Sequence, residues 1–113
     1  KLYDVKIPIY WGGPVDDHKI LILHSKDYKN NNTKEYNILS TSNDLRALVA
    51  IAEKKGPKNS LVMLGVAAWN TGQLDGEIEL ERWTISESSI NLIFETKDNK
   101  KWLNAIKNSF IRL

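Results

Sequence analysis

The segment Gly65–Trp83 reads Gly-Val-Ala-Ala-Trp-Asn-Thr-Gly-Gln-Leu-Asp-Gly-Glu-Ile-Glu-Leu-Glu-Arg-Trp, and the rest of the predicted fold is arranged around it. It follows the apolar run Ser60–Leu64, which has the composition of a buried strand. From Gln73 onward, apolar and acidic residues separate onto two helical faces, and acidic residues early in a helix favour its positive N-terminal end. The pattern therefore predicts a strand, a glycine-bounded turn with a tryptophan at its centre, and a helix.

The residues before this segment predict further strands. Apolar, β-prone runs predict strands at Ile7–Trp11, Lys19–His24 and Tyr36–Leu39. The residues Tyr28–Glu35 between the last two include three successive asparagines and predict an exposed, disorder-prone loop.

A helix is predicted next, with Gly56 just past its end as a stop signal. Thr41 or Ser42 is its predicted N-cap. The residues at helical spacing on its apolar face are Leu45, Leu48, Val49 and Ala52.

After the central segment, Trp83–Ile85 predicts a strand, and the short apolar segment Ile90–Phe94 is left open between helix and strand. Asp98 is predicted to cap a last helix. The inner stripe of that helix is predicted to comprise Trp102, Leu103, Ile106 and Phe110. Trp83 and Trp102 are both predicted to lie in the core.

The interleaved strands and helices predict the α/β class, with α+β as the alternative. We expect a single domain over residues 1–113, with one mixed, mainly antiparallel sheet or a flattened barrel, packed by about three helices. The net charge of +2 gives no argument for nucleic-acid or membrane binding, and the absence of cysteine excludes disulfides and thiol chemistry. No cofactor or metal is expected. His18, beside Asp16 and Asp17, is interpreted as part of a solvated turn in preference to a weak metal site.

The glycines of the central turn fit neither a Walker A loop nor a Gly-x-Gly-x-x-Gly fingerprint. Trp69 is interpreted as a buried anchor in preference to an exposed binding platform. Gln73 is expected to bond to its own turn in preference to a ligand. Glu77 lies one helical turn beyond Gln73, so both side chains are expected to project from the same end of the helix. A solvated carboxylate is the default interpretation of Glu77, and a functional role is the alternative.

His24 ends an apolar strand, where a neutral histidine bonded to the backbone is the default interpretation. A role as a general base is the alternative. The sequence contains no recognisable Ser-His-Asp order.

Three separated segments carry a family resemblance. Residues 10–15 read Tyr-Trp-Gly-Gly-Pro-Val, and residues 23–25 read Leu-His-Ser. The block Gly65–Ile78 is followed by Trp83, and Phe94, Trp102 and Ala105 follow in order. In order and spacing these residues resemble the AlgH/YqgE family of bacterial proteins over nearly the whole chain.

The chain departs from the family pattern in two places. Val66 stands where the family usually has tyrosine, and Ala68 where it usually has glycine. The family's usual N-terminal stretch, which contributes strands to the same sheet, has no counterpart here. We therefore expect a C-terminal part of the family domain or a shortened member, with an uncovered strand edge that favours self-association.

The resemblance implies a mixed α/β fold and a putative transcriptional regulator without an established biochemical activity. It also implies one surface cleft, whose candidate residues are Gly12, Gly13, Pro14, His24, Trp69, Gly72, Gln73 and Glu77. The leading hypothesis is a cytoplasmic domain that binds a ligand or a regulatory protein and has no catalysis of its own. A small hydrolase or transferase using His24 and Glu77 as acid and base is the alternative, and direct DNA binding is disfavoured because no helix-turn-helix pattern is present.

Overall fold

Five strands form a mixed sheet in the computed structural model, which describes residues 5–107. They are β1 (Ile9–Trp11), β2 (Val15–His24), β3 (Lys34–Glu35), β4 (Ser40–Ser42) and β5 (Ser60–Val66). The order across the sheet is β1-β5-β2-β4-β3. Only the β1–β5 pair is parallel, and the other pairs are antiparallel. The predicted mixed, mainly antiparallel sheet is therefore confirmed, as an open sheet and not as a barrel.

The helices are α1 (Leu45–Ala52), α2 (Gln73–Glu79) and α3 (Asp98–Lys107), with a π-helical segment at Asn91–Glu95. The chain divides into two compact units, residues 1–67 and residues 68–113. The sheet and α1 belong to the first unit, and the other helices belong to the second. No helix among residues 5–107 has the length and apolar composition needed to cross a bilayer.

The core of the first unit lies between the sheet and α1. Ile22 of β2, Val62 of β5 and Ala47 of α1 are buried there, and Leu48 and Ile51 of α1 pack against them. Ile22 and Val62 are direct neighbours across the sheet. Because side chains alternate between the two faces of a strand, this register directs every second residue of β2 and β5 toward α1.

The predicted strand–turn–helix at the centre of the sequence is confirmed by β5, the turn that follows it, and α2. The start of β2 is four residues earlier than predicted, at Val15 and not Lys19. Val15 pairs with Val66, and regular pairing resumes only at Ile20, so the polar residues between them form an irregularity that resembled a turn in the sequence.

The predicted strand at Tyr36–Leu39 is wrong. The Tyr36 N–H donates to the Leu39 carbonyl oxygen at 2.9 Å, which closes a turn between β3 and β4. The predicted N-cap at Thr41 or Ser42 is also wrong, since both residues lie in β4. The N-cap of α1 is Asp44.

The asparagine-rich loop, predicted to be exposed and disorder-prone, makes specific hydrogen bonds. Its Asn30 amide donates to both carboxylate oxygens of Asp44, at 3.1 and 3.2 Å, and to the Tyr28 hydroxyl at 3.0 Å. These bonds attach the loop to the start of α1, so its polar composition reflects specific hydrogen bonding.

Three expectations for the second unit are wrong. Trp83–Ile85 is not a strand. Trp83 and Trp102 are not in the core, since they are 48% and 74% exposed. Leu103 and Ile106, from the predicted inner stripe, are also exposed, and Phe110 lies outside the described residues. Helical periodicity identified α3 correctly but does not by itself show what its apolar stripe contacts.

Candidate functional site

The eight candidate cleft residues are divided between the two units. Those in the first unit are Gly12, Gly13, Pro14 and His24, and those in the second are Trp69, Gly72, Gln73 and Glu77. Within the second unit, the structure brings Trp69, Gln73 and Glu77 together at the start of α2. A cleft shared by all eight stays a prediction.

Glu77 accepts hydrogen bonds from two indoles. Its Oε1 lies 2.8 Å from Nε1 of Trp83 and 3.4 Å from Nε1 of Trp69. The two indole rings also contact each other edge to face, with centroids 5.6 Å apart and planes at 80°. This is a favourable geometry for an aromatic pair. We call these three residues the tryptophan–carboxylate cluster.

The cluster lowers the pKa of the Glu77 carboxyl group below its ordinary value of 4.5. The hydrogen bond from Trp83 is the main cause, and it outweighs the opposing effect of burial, which ranks second. Bonds from Trp69 and Gln73 and the charge of Arg82 add smaller effects in the same direction as Trp83. A lowered pKa keeps the carboxylate ionised at neutral pH and makes it a weaker base. Glu77 is therefore suited to orienting donors and poorly suited to acting as a general acid.

The turn before α2 is closed by its own polar groups. The Asn70 N–H donates to Oε1 of Gln73 at 3.0 Å, and the Gln73 N–H donates to the Asn70 carbonyl oxygen at 2.9 Å. The expected bonding of Gln73 to its own turn is thus confirmed. Gly72 is the N-cap and adopts a left-handed conformation with φ of 78°, which glycine adopts without strain.

Trp83 also lines a surface cavity of about 400 Å³. Its other lining residues are Arg82, Thr84, Ser86, Trp102, Ala105 and Ile106. Ser86 Oγ donates to the Ala105 carbonyl oxygen at 2.8 Å, which fixes the segment after α2 against α3. Sequence reasoning missed this cavity because it assigned both tryptophans to the core.

The glycine pair of the first unit allows two backbone segments to cross. A Cβ on Gly12 would lie 2.0 Å from the carbonyl oxygen of Gly65, and one on Gly13 would lie 2.3 Å from the carbonyl carbon of Val66. Gly12 also donates its N–H to the Leu64 carbonyl oxygen at 2.7 Å. Since no side chain fits at either position, the crossing accounts for the Gly-Gly motif without a ligand.

His24 is fully buried and both of its ring nitrogens are hydrogen-bonded. Nδ1 lies 2.7 Å from the Ser25 carbonyl oxygen, and Nε2 lies 2.9 Å from Ser42 Oγ. A carbonyl oxygen only accepts, so Nδ1 carries the proton, and Nε2 of a neutral ring accepts from the Ser42 hydroxyl. Ser42 Oγ in turn lies 2.9 Å from Thr33 Oγ1.

These bonds connect β2 and β4 to the asparagine-rich loop. The expected bonding of His24 to the backbone is confirmed. Because the ring is inaccessible to solvent, it reaches a substrate only if the surrounding strands move. No group of three or more histidine and carboxylate side chains suited to a metal ion occurs among residues 5–107.

The comparisons with known proteins agree with this fold. The AlgH-like family model matches residues 1–113, and the chain therefore belongs to the AlgH-like family. It is 42% identical over 105 residues to a UPF0301 protein of Rickettsia prowazekii, covering 92% of this chain and 56% of that protein. A UPF0301 protein of Rickettsia canadensis gives the same identity and coverage.

A solved structure is also similar. The solution structure of the AlgH protein from Pseudomonas aeruginosa matches with a TM-score of 0.80 and 31% sequence identity, over 90% of this chain and 54% of that one. The chain thus spans about half the length of the relatives that it matches.

Proposed function

We propose that this chain is a regulatory binding domain of the AlgH type, acting in the bacterial cytoplasm without catalysis of its own. Its binding surface is the tryptophan–carboxylate cluster together with the adjoining cavity. The regulatory part of the proposal rests on the family resemblance, and the binding part rests on the geometry around Glu77.

The observation that carries the proposal is the convergence of two indole N–H groups on one oxygen of Glu77. Both donors are satisfied within the protein, which holds the ring of Trp83 in place while 48% of that residue stays exposed. An exposed aromatic ring in a fixed orientation loses little conformational entropy when it is covered by a ligand. This favours a binding role over a purely structural one.

The absence of catalysis is supported by the two candidate acid–base residues. The carboxylate of Glu77 is engaged by the two indoles, and its pKa lies below the ordinary value. His24 is enclosed and bonded through both ring nitrogens. A general acid–base pair needs at least one group that reaches the substrate and titrates near the working pH.

The test follows the indole N–H resonances of the ¹⁵N-labelled chain during titration with a panel of nucleotides and common metabolites. Binding at the proposed surface shifts the signals of Trp69 and Trp83. Trp11 in β1 is the matched control, because it is 68% exposed and lies in the first unit. If no compound shifts the two cluster signals more than the Trp11 signal, the proposal is wrong.

A further inference from the structure

The cavity next to the tryptophan–carboxylate cluster has two indole rings in its lining. Trp83 is bonded to Glu77 and stacked edge to face on Trp69. Trp102, on α3, is 74% exposed and has no ring partner among residues 5–107. Flat ring faces that are open to solvent are suited to stacking against another planar ring.

A hydrogen bond from a side chain to a main-chain carbonyl oxygen links the segments that carry these two indoles. Ser86, three residues after Trp83, donates its hydroxyl to the carbonyl oxygen of Ala105, three residues after Trp102. The cavity is therefore lined by two segments that this hydrogen bond holds together. Its volume of about 400 Å³ lies at the small end of the usual range for ligand sites, which is roughly 300–1,000 Å³.

The charge of the lining is positive. Arg82 is the one charged residue that lines the cavity, and its guanidinium forms no ion pair within 4.0 Å among the described residues. The Thr84 hydroxyl likewise has no hydrogen-bond partner in that part of the chain, whereas the Ser86 hydroxyl is used by Ala105. The charge of Arg82 acts on Glu77 without forming an ion pair within 4.0 Å, so the guanidinium and the Thr84 hydroxyl can both contact an anionic group such as a phosphate.

We propose that this cavity binds a planar aromatic ring that carries an anionic group, of the size of a nucleoside monophosphate. The ring stacks on the indoles of Trp83 and Trp102, and the anion is held by Arg82 and Thr84. The inference rests on the proposed binding function, to which it adds the chemical class of the ligand. A purely apolar ligand would leave Arg82 unused, and inorganic phosphate would leave both indole faces exposed.

The experiment titrates the full chain with adenosine 5′-monophosphate, adenosine and inorganic phosphate. Tryptophan fluorescence and the indole N–H resonances are recorded at low salt. Adenosine 5′-monophosphate is expected to saturate, to quench the emission, and to shift the signals of Trp83 and Trp102. Adenosine is expected to bind about tenfold more weakly because it lacks the anion, and phosphate alone is expected to leave the emission unchanged.

Two variants with matched controls test the residues. Arg82→Gln is expected to weaken binding of adenosine 5′-monophosphate about tenfold without changing the affinity for adenosine. Arg46→Gln, at an exposed arginine of the first unit, is expected to change neither. Trp102→Ala is expected to weaken both ligands, whereas Trp11→Ala is expected to leave both unchanged.

The outcomes separate this inference from the broader proposal. If adenosine 5′-monophosphate does not bind but another compound of the panel shifts the Trp69 and Trp83 signals, the ligand class is wrong and the binding function stands. If Arg82→Gln weakens both ligands equally, the anion contact is wrong. If nothing shifts the cluster signals, both proposals are wrong.

Discussion

Nε1 of Trp83 donates to Oε1 of Glu77 at 2.8 Å, and this bond joins a residue that follows α2 to a residue of α2 six positions earlier. The bond fixes the orientation of an exposed indole and lowers the pKa of the carboxyl group that accepts it. One contact therefore affects both the orientation of an indole in the candidate binding surface and the ionisation of the carboxylate beside it.

The first prediction concerns pH. The pKa of Glu77 is lower in the folded chain than its ordinary value of 4.5, so the folded state binds this proton less readily than the unfolded state. The stabilisation is therefore present above pH 4.5 and is lost as the pH falls through the folded-state pKa. Urea unfolding of Glu77→Gln, followed from about pH 7 down to about pH 3, should show a weaker pH dependence than the parent chain. Glu79→Gln, on the exposed side of the same helix, is the control, and equal slopes for Glu77→Gln and the parent would contradict the role of Glu77.

The second prediction compares two buried serines of β4. Ser42 donates to Nε2 of His24, so Ser42→Ala leaves a buried acceptor without a partner and should lower the free energy of unfolding by about 1–3 kcal/mol. Ser40 Oγ is equally buried but has no partner among residues 5–107, so Ser40→Ala should leave the stability unchanged or raise it. Urea denaturation of both variants measures the difference. Equal losses would show that the hydrogen bond to His24 contributes nothing.

The third prediction concerns the backbone crossing. Gly65 has a φ of 77°, and a Cβ there would lie 2.1 Å from the carbonyl oxygen of Gly13. Gly65→Ala combines conformational strain with a clash against the backbone and should lower the free energy of unfolding by about 3 kcal/mol or more.

Gly72→Ala separates the two effects. Gly72 has nearly the same φ, 78°, but nothing lies within 4 Å of the added Cβ. This variant should lose only about 1–2 kcal/mol, from strain alone. Thermal unfolding of the two variants provides the comparison, and similar losses would mean that the crossing relaxes around the new methyl group.

The fourth prediction concerns Gly76, inside α2, where an added Cβ meets nothing within 4 Å. Gly76→Ala should raise the free energy of unfolding by about 0.5–1 kcal/mol, because alanine loses less backbone entropy than glycine in a helix. Circular dichroism during thermal unfolding measures the shift. A decrease would indicate that this face of α2 is covered in solution.

The sequence was informative where local periodicity determines the structure. The apolar run before Gly65 and the helical spacing after Gln73 identified β5 and α2, because burial and amphipathic packing follow the same spacing. Tyr36–Leu39 has strand composition but forms a turn, since one backbone hydrogen bond between Tyr36 and Leu39 overrides the weak β-propensity of four residues.

The candidate site was predicted only in part. Gln73 and Glu77 were expected to project from the same end of α2, and the Gln73 side chain does act on Glu77. Trp69 was grouped with them through the family resemblance, and its indole does bond to Glu77. Trp83 was missed as their partner, because an indole N–H bonded to a carboxylate has no periodic signature. Trp102 was assigned to the interior because an apolar stripe predicts which face of a helix is apolar, and not whether that face is covered.

Ser40 offers an experimental opportunity. The chain contains no cysteine, and Ser40 Oγ occupies an enclosed position where its hydroxyl has no partner in the described part of the chain. Ser40→Cys would therefore introduce a single thiol at little energetic penalty, shielded by the strands on either side. The rate at which this thiol is alkylated would report how often the sheet opens, and would thus measure the kinetics of local unfolding around β4.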